Sequence, residues 1–392
     1  MNKRWIVYLV SFAAFFGPFS QTIYTPLLPQ IEQELHTTTF MINLTISIFT
    51  LVLALMQMVY GPLTDTRGRR KVMLWGVLIY IAASTGAALS SSISLLIFFR
   101  GLQAGGIAVG SVVAVSVIGD LYDGKLRGRA MGTFQMLVAL GPVVGPVIGG
   151  FVGEHFGFNS VFWVLTVAAL LLLFASYSFL PETKPESGHR TPFCLRQFSD
   201  VLANRTGSSV ILLGLVQYFT FYHFLVFLPG LLSDLYGLTA GQNGMVFLPM
   251  SLFVVVGSFV GGRLQEHFRS HKLLVTTTSL NVLATLLFVI VAPISLPILI
   301  GTISLFGLCL GLSLPVQTTL LADEFHQNRA TATGVYNFFR YLGMAAGPMI
   351  GGIFHRFGHR MEFSFAAFLF ACIVGFAAVQ FSRLRKESQI TV

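Results

Sequence analysis

Two arginines, a histidine and a scatter of amides and phenols lie where the chain is otherwise hydrocarbon. Arg100 falls inside the apolar run 94–119 with Gln103 one helical turn further on. Arg340 falls inside 330–354, one turn from Asn337 and Tyr336. His223 stands in the aromatic run Gln217–Phe224, Q-Y-F-T-F-Y-H-F, which also carries Tyr218 and Tyr222. Gln317 lies in the run 296–321, and Gln21 and Tyr24 share a face of the first apolar run at i, i+3. These groups offer fixed donors, positive charge and aromatic faces. Taken one by one, every Asp and Glu falls in a loop or near the end of an apolar run. A cavity lined this way would be amphipathic and would favour a neutral or anionic amphipath over a lipophilic cation. Two roles stay open at this level. Arg340 either pairs with backbone carbonyls between helices or meets a substrate. His223 either packs among its aromatics or carries a proton, because imidazole titrates near neutral pH.

The elements that must hold these groups are membrane spans. Of 392 residues, 54% are hydrophobic and 10% charged, with mean hydropathy +0.78. A soluble domain carries about 25% charged residues. Runs such as Val72–Leu89, Val161–Leu180 and Val275–Val291 approach the roughly 20 residues that cross a bilayer. Apolar runs against charged breaks give about twelve spans: 5–28, 40–60, 72–90, 94–119, 129–152 and 159–180, then 207–233, 241–262, 272–292, 296–321, 330–354 and 362–382. The first, Trp5 to Leu28, is too long for the apolar core of a signal peptide and reads as a span. Residues 181–205 form a polar linker in which Pro185, Ser187, Gly188, Arg190 and Pro192 are expected to break any helix. The expected division is an N-terminal six-helix bundle (1–180), the linker (181–205) and a C-terminal six-helix bundle with a short tail (206–392).

The formal charge is +9, yet Lys and Arg sit in short loops rather than on one soluble face, which excludes a nucleic-acid surface. Lys3, Arg4, the 67–71 cluster, Lys125, Arg127, Arg129, Arg263, Arg269, Lys272, Arg329, Arg383, Arg385 and Lys386 fall on one side of the membrane. Glu32, Glu34, Glu154 and Asp234 fall on the other, where only Arg356 and Arg360 dissent. The positive-inside rule then puts both termini and the linker in the cytoplasm, in a bacterial cytoplasmic membrane. There is no G-x-x-x-x-G-K-[ST] loop for ATP, no H-E-x-x-H and no Cys/His grouping with metal-ligand spacing. Cys194, Cys309 and Cys372 read as free thiols. The sequence therefore predicts no enzyme, cofactor or metal, and a monomer.

One loop departs from simple topology. Gly61–Lys71, G-P-L-T-D-T-R-G-R-R-K, sets a lone acid among four bases between the second and third spans. The bases alone would serve as positive-inside markers; the acid runs against that pattern. A weaker copy, G-R-L-Q-E-H-F-R-S-H-K, occupies Gly262–Lys272, and Gly145–Gly150 (G-P-V-I-G-G) is echoed by Gly347–Gly352 (G-P-M-I-G-G). Both pairs are offset by about 200 residues, so the halves read as parallel repeats.

With these motifs the chain resembles the major facilitator superfamily, in its twelve-span drug:proton antiporter branch. The loop matches the family signature at Gly61, Leu63, Asp65, Gly68, Arg69 and Arg70. Arg100–Gly106, R-G-L-Q-A-G-G, resembles a fourth-span motif, with Ala104 where a glycine is usual. Gly141–Gly150, G-P-V-V-G-P-V-I-G-G, resembles the fifth-span motif regarded as a mark of exporters. The resemblance implies an all-α membrane protein, two pseudo-symmetric bundles around a central cavity, working by alternating access with protons as the coupling ion. It implies that Asp65, Arg69 and Asp120, with Gly61, Gly68 and Arg70, form a cytoplasmic latch. It also implies that Gly141, Pro142, Gly145, Pro146, Gly149 and Gly150 line a helix that seals the path. The expected activity is export of a small amphipathic drug or antibiotic. The alternatives are export of an endogenous metabolite, such as a siderophore-like chelator or a sugar, and a non-transporting receptor of the same fold.

Overall fold

The computed structural model describes residues 3–122, 124–184, 195–265, 267–325 and 329–390. Among these it contains only helices: α1 (Lys3–Thr22), α2 (Leu28–Glu34), α3 (Thr39–Arg67), α4 (Arg69–Ala88), α5 (Ile93–Leu121), α6 (Gly124–Phe156), α7 (Phe158–Phe179), α8 (Leu195–Ala203), α9 (Arg205–Tyr236), α10 (Ala240–Leu264), α11 (Ser270–Val291), α12 (Leu296–Glu324), α13 (Arg329–His355) and α14 (His359–Ile390). Cap residues mark several starts. The Thr38 hydroxyl accepts from the Met41 amide at α3, and the Ser92 hydroxyl from the Leu95 amide at α5. The first predicted span is not one straight rod: a short 3₁₀ turn at Thr25–Leu27 carries Pro26 and joins α1 to α2.

Eleven helices of the described residues are long and apolar enough to cross a bilayer, α1 and α2 counting together. The remaining long helix, α13, occupies the place of the predicted eleventh span with 27 residues, but spends many positions on polar groups and glycine. Large side chains such as Trp75, Phe98, Leu171 and Phe174 stand more than 60% exposed. In water such surface would be an aggregation site; here it is the lipid face.

The chain divides into two compact units, Met1–Thr191 with Leu232–Met245, and Pro192–Leu231 with Val246–Val392. In the first, α1 packs on α5 and α6, α3 and α4 pack on α5, and α4 packs on α7. In the second, α11 packs on α12 and α14, around a core that includes Val210, Val216, Leu274, Val316, Val335 and Phe370.

One expectation is corrected here. The 181–205 segment is not free of helix, because Leu195–Ala203 forms α8 and its Val201 is buried in the core of the second unit. The prolines and glycine that break helix all precede residue 195, leaving L-R-Q-F-S-D-V-L-A free to coil.

Small residues set the closest helix contacts. Along α6, Gly141, Gly145 and Gly149 face α1 and the residues just after it. A Cβ on Gly149 would overlap the Ile23 carbonyl, and one on Gly145 the Thr22 hydroxyl. The second unit repeats the device. Gly343 and Gly347 of α13 lie against the Leu215 and Phe219 carbonyls of α9, and Gly351 against Phe227 and His223. The fifth long helix of each half thus meets the first backbone to backbone, as membrane helices do where small residues line the seam.

Candidate functional site

The Gly61–Lys71 loop folds around Arg69. α3 ends and α4 begins at Gly68, whose φ of +94° suits glycine. Its missing Cβ also leaves room for the Glu182 carboxylate. The Arg69 side chain is 8% exposed. Its Nη2 pairs with Asp65 Oδ1 at 3.0 Å, one turn back along the chain, and its Nε with Asp120 Oδ2 at 3.0 Å. Its Nη1 donates to the Thr64 carbonyl at 3.0 Å. The sequence-predicted trio of Asp65, Arg69 and Asp120 is therefore brought together. Asp65 remains 62% exposed, Asp120 14%.

Sequence reading missed the fourth member. Glu182 accepts from the Arg69 amide at 2.8 Å and the Arg70 amide at 3.2 Å, capping the N-terminus of α4 with a negative charge. Arg70 turns away, donating to the Tyr177 carbonyl at 2.6 Å. Thr183 adds a second donor to Asp120 at 3.0 Å. Gly61 has open space where a Cβ would stand, and nothing in the structure explains that glycine.

Inside the first unit the polar groups of α1, α3, α4 and α5 converge on Arg100, which is 0% exposed. Its guanidinium lies 4.1 Å from the centre of the Phe49 ring and 4.4 Å from that of Tyr24. Its Nη1 donates to Gln103 Oε1 at 2.5 Å and to the Ser20 carbonyl at 3.1 Å. Gln103 passes a hydrogen bond to Ser84 at 2.7 Å, the Tyr24 and Thr45 hydroxyls meet at 2.7 Å, and Gln21 donates to Thr50. Arg100 Nε and Nη2 are buried without a hydrogen-bond partner.

A second polar centre forms in the second unit around Arg340, which is half-buried. Its Nη1 donates to Asn337 Oδ1 at 3.0 Å and its Nη2 to the Tyr218 hydroxyl at 2.5 Å. It sits 4.1 Å over the Tyr218 ring and 5.4 Å from that of Tyr336. The Tyr336 hydroxyl donates to Gln317 Oε1 at 2.7 Å, Gln317 donates to Gln217, and Gln217 donates to Ser313 at 2.7 Å. Sequence reading named Gln217, Tyr218, Gln317, Asn337 and Arg340, and the fold joins them. Tyr222 is buried one turn further along α9.

His223 is placed elsewhere. It is 0% exposed, with ring centres of Phe227 at 4.7 Å, Phe363 at 5.0 Å and Phe219 at 6.1 Å. Beyond Phe227 lies a group that the sequence reading did not see. His355 Nδ1 donates to Glu362 Oε2 at 2.8 Å and His359 Nδ1 to Glu362 Oε1 at 3.0 Å. These three offer ligand atoms within 4.8 Å of one another, a grouping that the motif reading does not contain. Linear reading missed it because the residues straddle the break between α13 and α14, and because Glu362 counts as an acid near a span end. The spacing H-x₃-H-x₂-E was the available signal. Cys309 and Cys372 are free thiols, while Cys194 lies outside the described residues.

Comparison with known proteins extends these observations. The family model of the Major Facilitator Superfamily matches residues 10–348 and 210–390. Citrate exporter 1 of Aspergillus niger is 27% identical over 307 residues, 69% of this chain, which spans only 58% of that exporter's length. The MFS-type transporter YvkA of Bacillus subtilis is 24% identical with 99% of both chains covered. Multidrug transporter QDR2 of Candida glabrata is 25% identical over 98% of this chain and 82% of its own. Among solved structures, a bacterial homologue of the human lysosomal transporter Spinster superposes with a TM-score of 0.81 at 18% identity, over 96% of each chain, and supports the fold alone. The chain belongs to the Major Facilitator Superfamily, and its long apolar helices make it a multi-pass membrane protein.

Proposed function

We propose that this transporter exports a small amphipathic molecule, neutral or anionic, by proton-coupled alternating access. The observation that carries the reading is Arg340. It is half-buried, Asn337 and Tyr218 each take one N–H from its two terminal nitrogens and so fix its orientation, and the Tyr218 and Tyr336 rings lie against it. A guanidinium held this way can meet a carboxylate or carbonyl without reorganising first. Export is supported by the fifth-span motif and by relatives that are named exporter or multidrug transporter. The expected setting is a bacterial cytoplasmic membrane, with both termini cytoplasmic and the protein monomeric.

A second reading, dedicated export of an endogenous acidic metabolite, is favoured by the citrate exporter, whose substrate name is that of a small polyanion. Both readings share the preference against cations. Inverted vesicles with an imposed proton gradient test it: an acidic or zwitterionic amphipath should accumulate, and accumulation of a lipophilic cationic dye alone would refute the proposal. Comparing secreted metabolites with drug susceptibility in a deletion strain separates the two readings.

The Asp65–Arg69–Asp120 group acts, in this proposal, as a latch that forms and releases once per cycle. Asp65 is the member exposed enough to change partners. In the same vesicles Asp65→Asn should slow turnover several-fold with little change in KM. Unchanged turnover would remove Asp65 from the cycle.

A further inference from the structure

The end of α13 and the start of α14 build a cluster that the transport reading does not use. Phe354–Gly358 makes a tight reversal, with the Phe357 amide on the Phe354 carbonyl and the Gly358 amide on the His355 carbonyl, each at 2.9 Å. Gly358 has φ +91°, which lets the chain turn back within three residues. His355, the last residue of α13, is thereby set against His359 and Glu362 in the first turn of α14.

Glu362 is 0% exposed, whereas the His355 and His359 side chains are 30% and 21% exposed. A buried carboxylate thus stands behind two imidazoles that reach solvent. Of the nearby arginines, Arg356 lies 4.8 Å over the Phe357 ring and Arg360 is exposed. The imidazole–carboxylate separations of 2.8 and 3.0 Å need open by only about 0.3–0.8 Å to reach the roughly 3.3–3.6 Å between two ligands of a tetrahedral zinc ion with bonds of about 2.0–2.2 Å.

We propose that His355, His359 and Glu362 form a three-ligand site for a divalent transition metal of the zinc class. Two neutral imidazoles and one carboxylate match the donor preference of zinc, and exclude magnesium and calcium, which prefer oxygen. On binding, each ring nitrogen that now donates to Glu362 turns its lone pair to the metal, and its proton moves to the other ring nitrogen. The two exposed imidazole edges provide entry, and the fourth position is left to water. The ion clips α13 to α14 across the Gly358 turn. Phe227, whose ring stacks 5.6 Å from that of His355 and 4.7 Å from that of His223, joins this clip to the buried face of α9.

The test uses the full-length transporter, purified without a polyhistidine tag, stripped with chelator and titrated with zinc chloride. One zinc ion is expected per chain, with a rise in melting temperature that magnesium does not produce. His359→Ala and Glu362→Gln should each weaken zinc binding by about 100-fold or more, at or beyond the ~10–100-fold cost of losing a supporting group. His155→Ala, a histidine outside the cluster, should bind as the wild type does. Should the buried Glu362→Gln variant fail to fold, the half-exposed His359→Ala decides the question. Absence of zinc uptake by the wild type overturns the proposal, as does uptake unaltered by His359→Ala.

Discussion

Arg100 and Arg340 are both arginines within membrane helices, and their surroundings differ in a way that separates two uses of the same side chain. Arg100 is closed on all sides: two aromatic faces, an amide and one carbonyl enclose it, and two of its nitrogens are left without partners. Arg340 is held by an amide and a phenol and is only half-buried, with a single buried nitrogen left without a partner. Burying a cation costs several kcal/mol even after relaxation. A site that keeps such a charge sealed is one whose shape depends on it, while a site that leaves the charge only half-buried keeps part of it within reach of a ligand. The first is read as a positioning group and the second as a binding group.

Substitution can break that contrast. The largest effect is expected from Arg100→Ala, which empties a packed space and strands Gln103 and the Ser20 carbonyl; melting of the purified protein should show a loss of roughly 3–5 kcal/mol. Arg100→Met, which refills the space without charge, should recover most of that stability but not transport. Recovery of both would show that the charge itself is dispensable. Arg340→Ala should leave melting nearly unchanged, yet weaken an anionic substrate by about 10–100-fold, the value of a hydrogen bond to a charged group at roughly 1.5–3 kcal/mol. If Arg340→Ala unfolds the protein as Arg100→Ala does, the distinction fails. The smallest effect belongs to Tyr218→Phe, which frees one guanidinium nitrogen and should change apparent affinity about 2- to 10-fold, at roughly 0.5–1.5 kcal/mol.

How far the sequence foretold these centres depends on the range of each interaction. The helices were legible because span length and loop charge are local properties, and Arg340 with Asn337 and Tyr336 was legible because one helical turn joins them. The pairing of Arg69 with Asp120 came from family resemblance, and the geometry supplies its physical content. Glu182 was not legible: it lies 113 residues from Arg69 and follows a proline in a segment read as linker. Helix α8 was hidden for a related reason, since breakers at 185–192 were extended over residues that contain none. His355 and His359 fall between the predicted spans and Glu362 at the start of the last, so their H-x₃-H-x₂-E spacing gains meaning only when the Gly358 turn brings them together.

The Arg69 cage also has a consequence for how the protein is made. Synthesis runs from the N-terminus, so Asp65 and Arg69, four residues apart across the Gly68 break, are made almost together. Asp120 arrives only after the fourth long helix has entered the membrane, and Glu182 only after the sixth. The start of α4 therefore acquires its full set of counter-charges in three instalments. The last can be added only once the sixth long helix has been made, so the cap on α4 waits for the whole N-terminal set of helices.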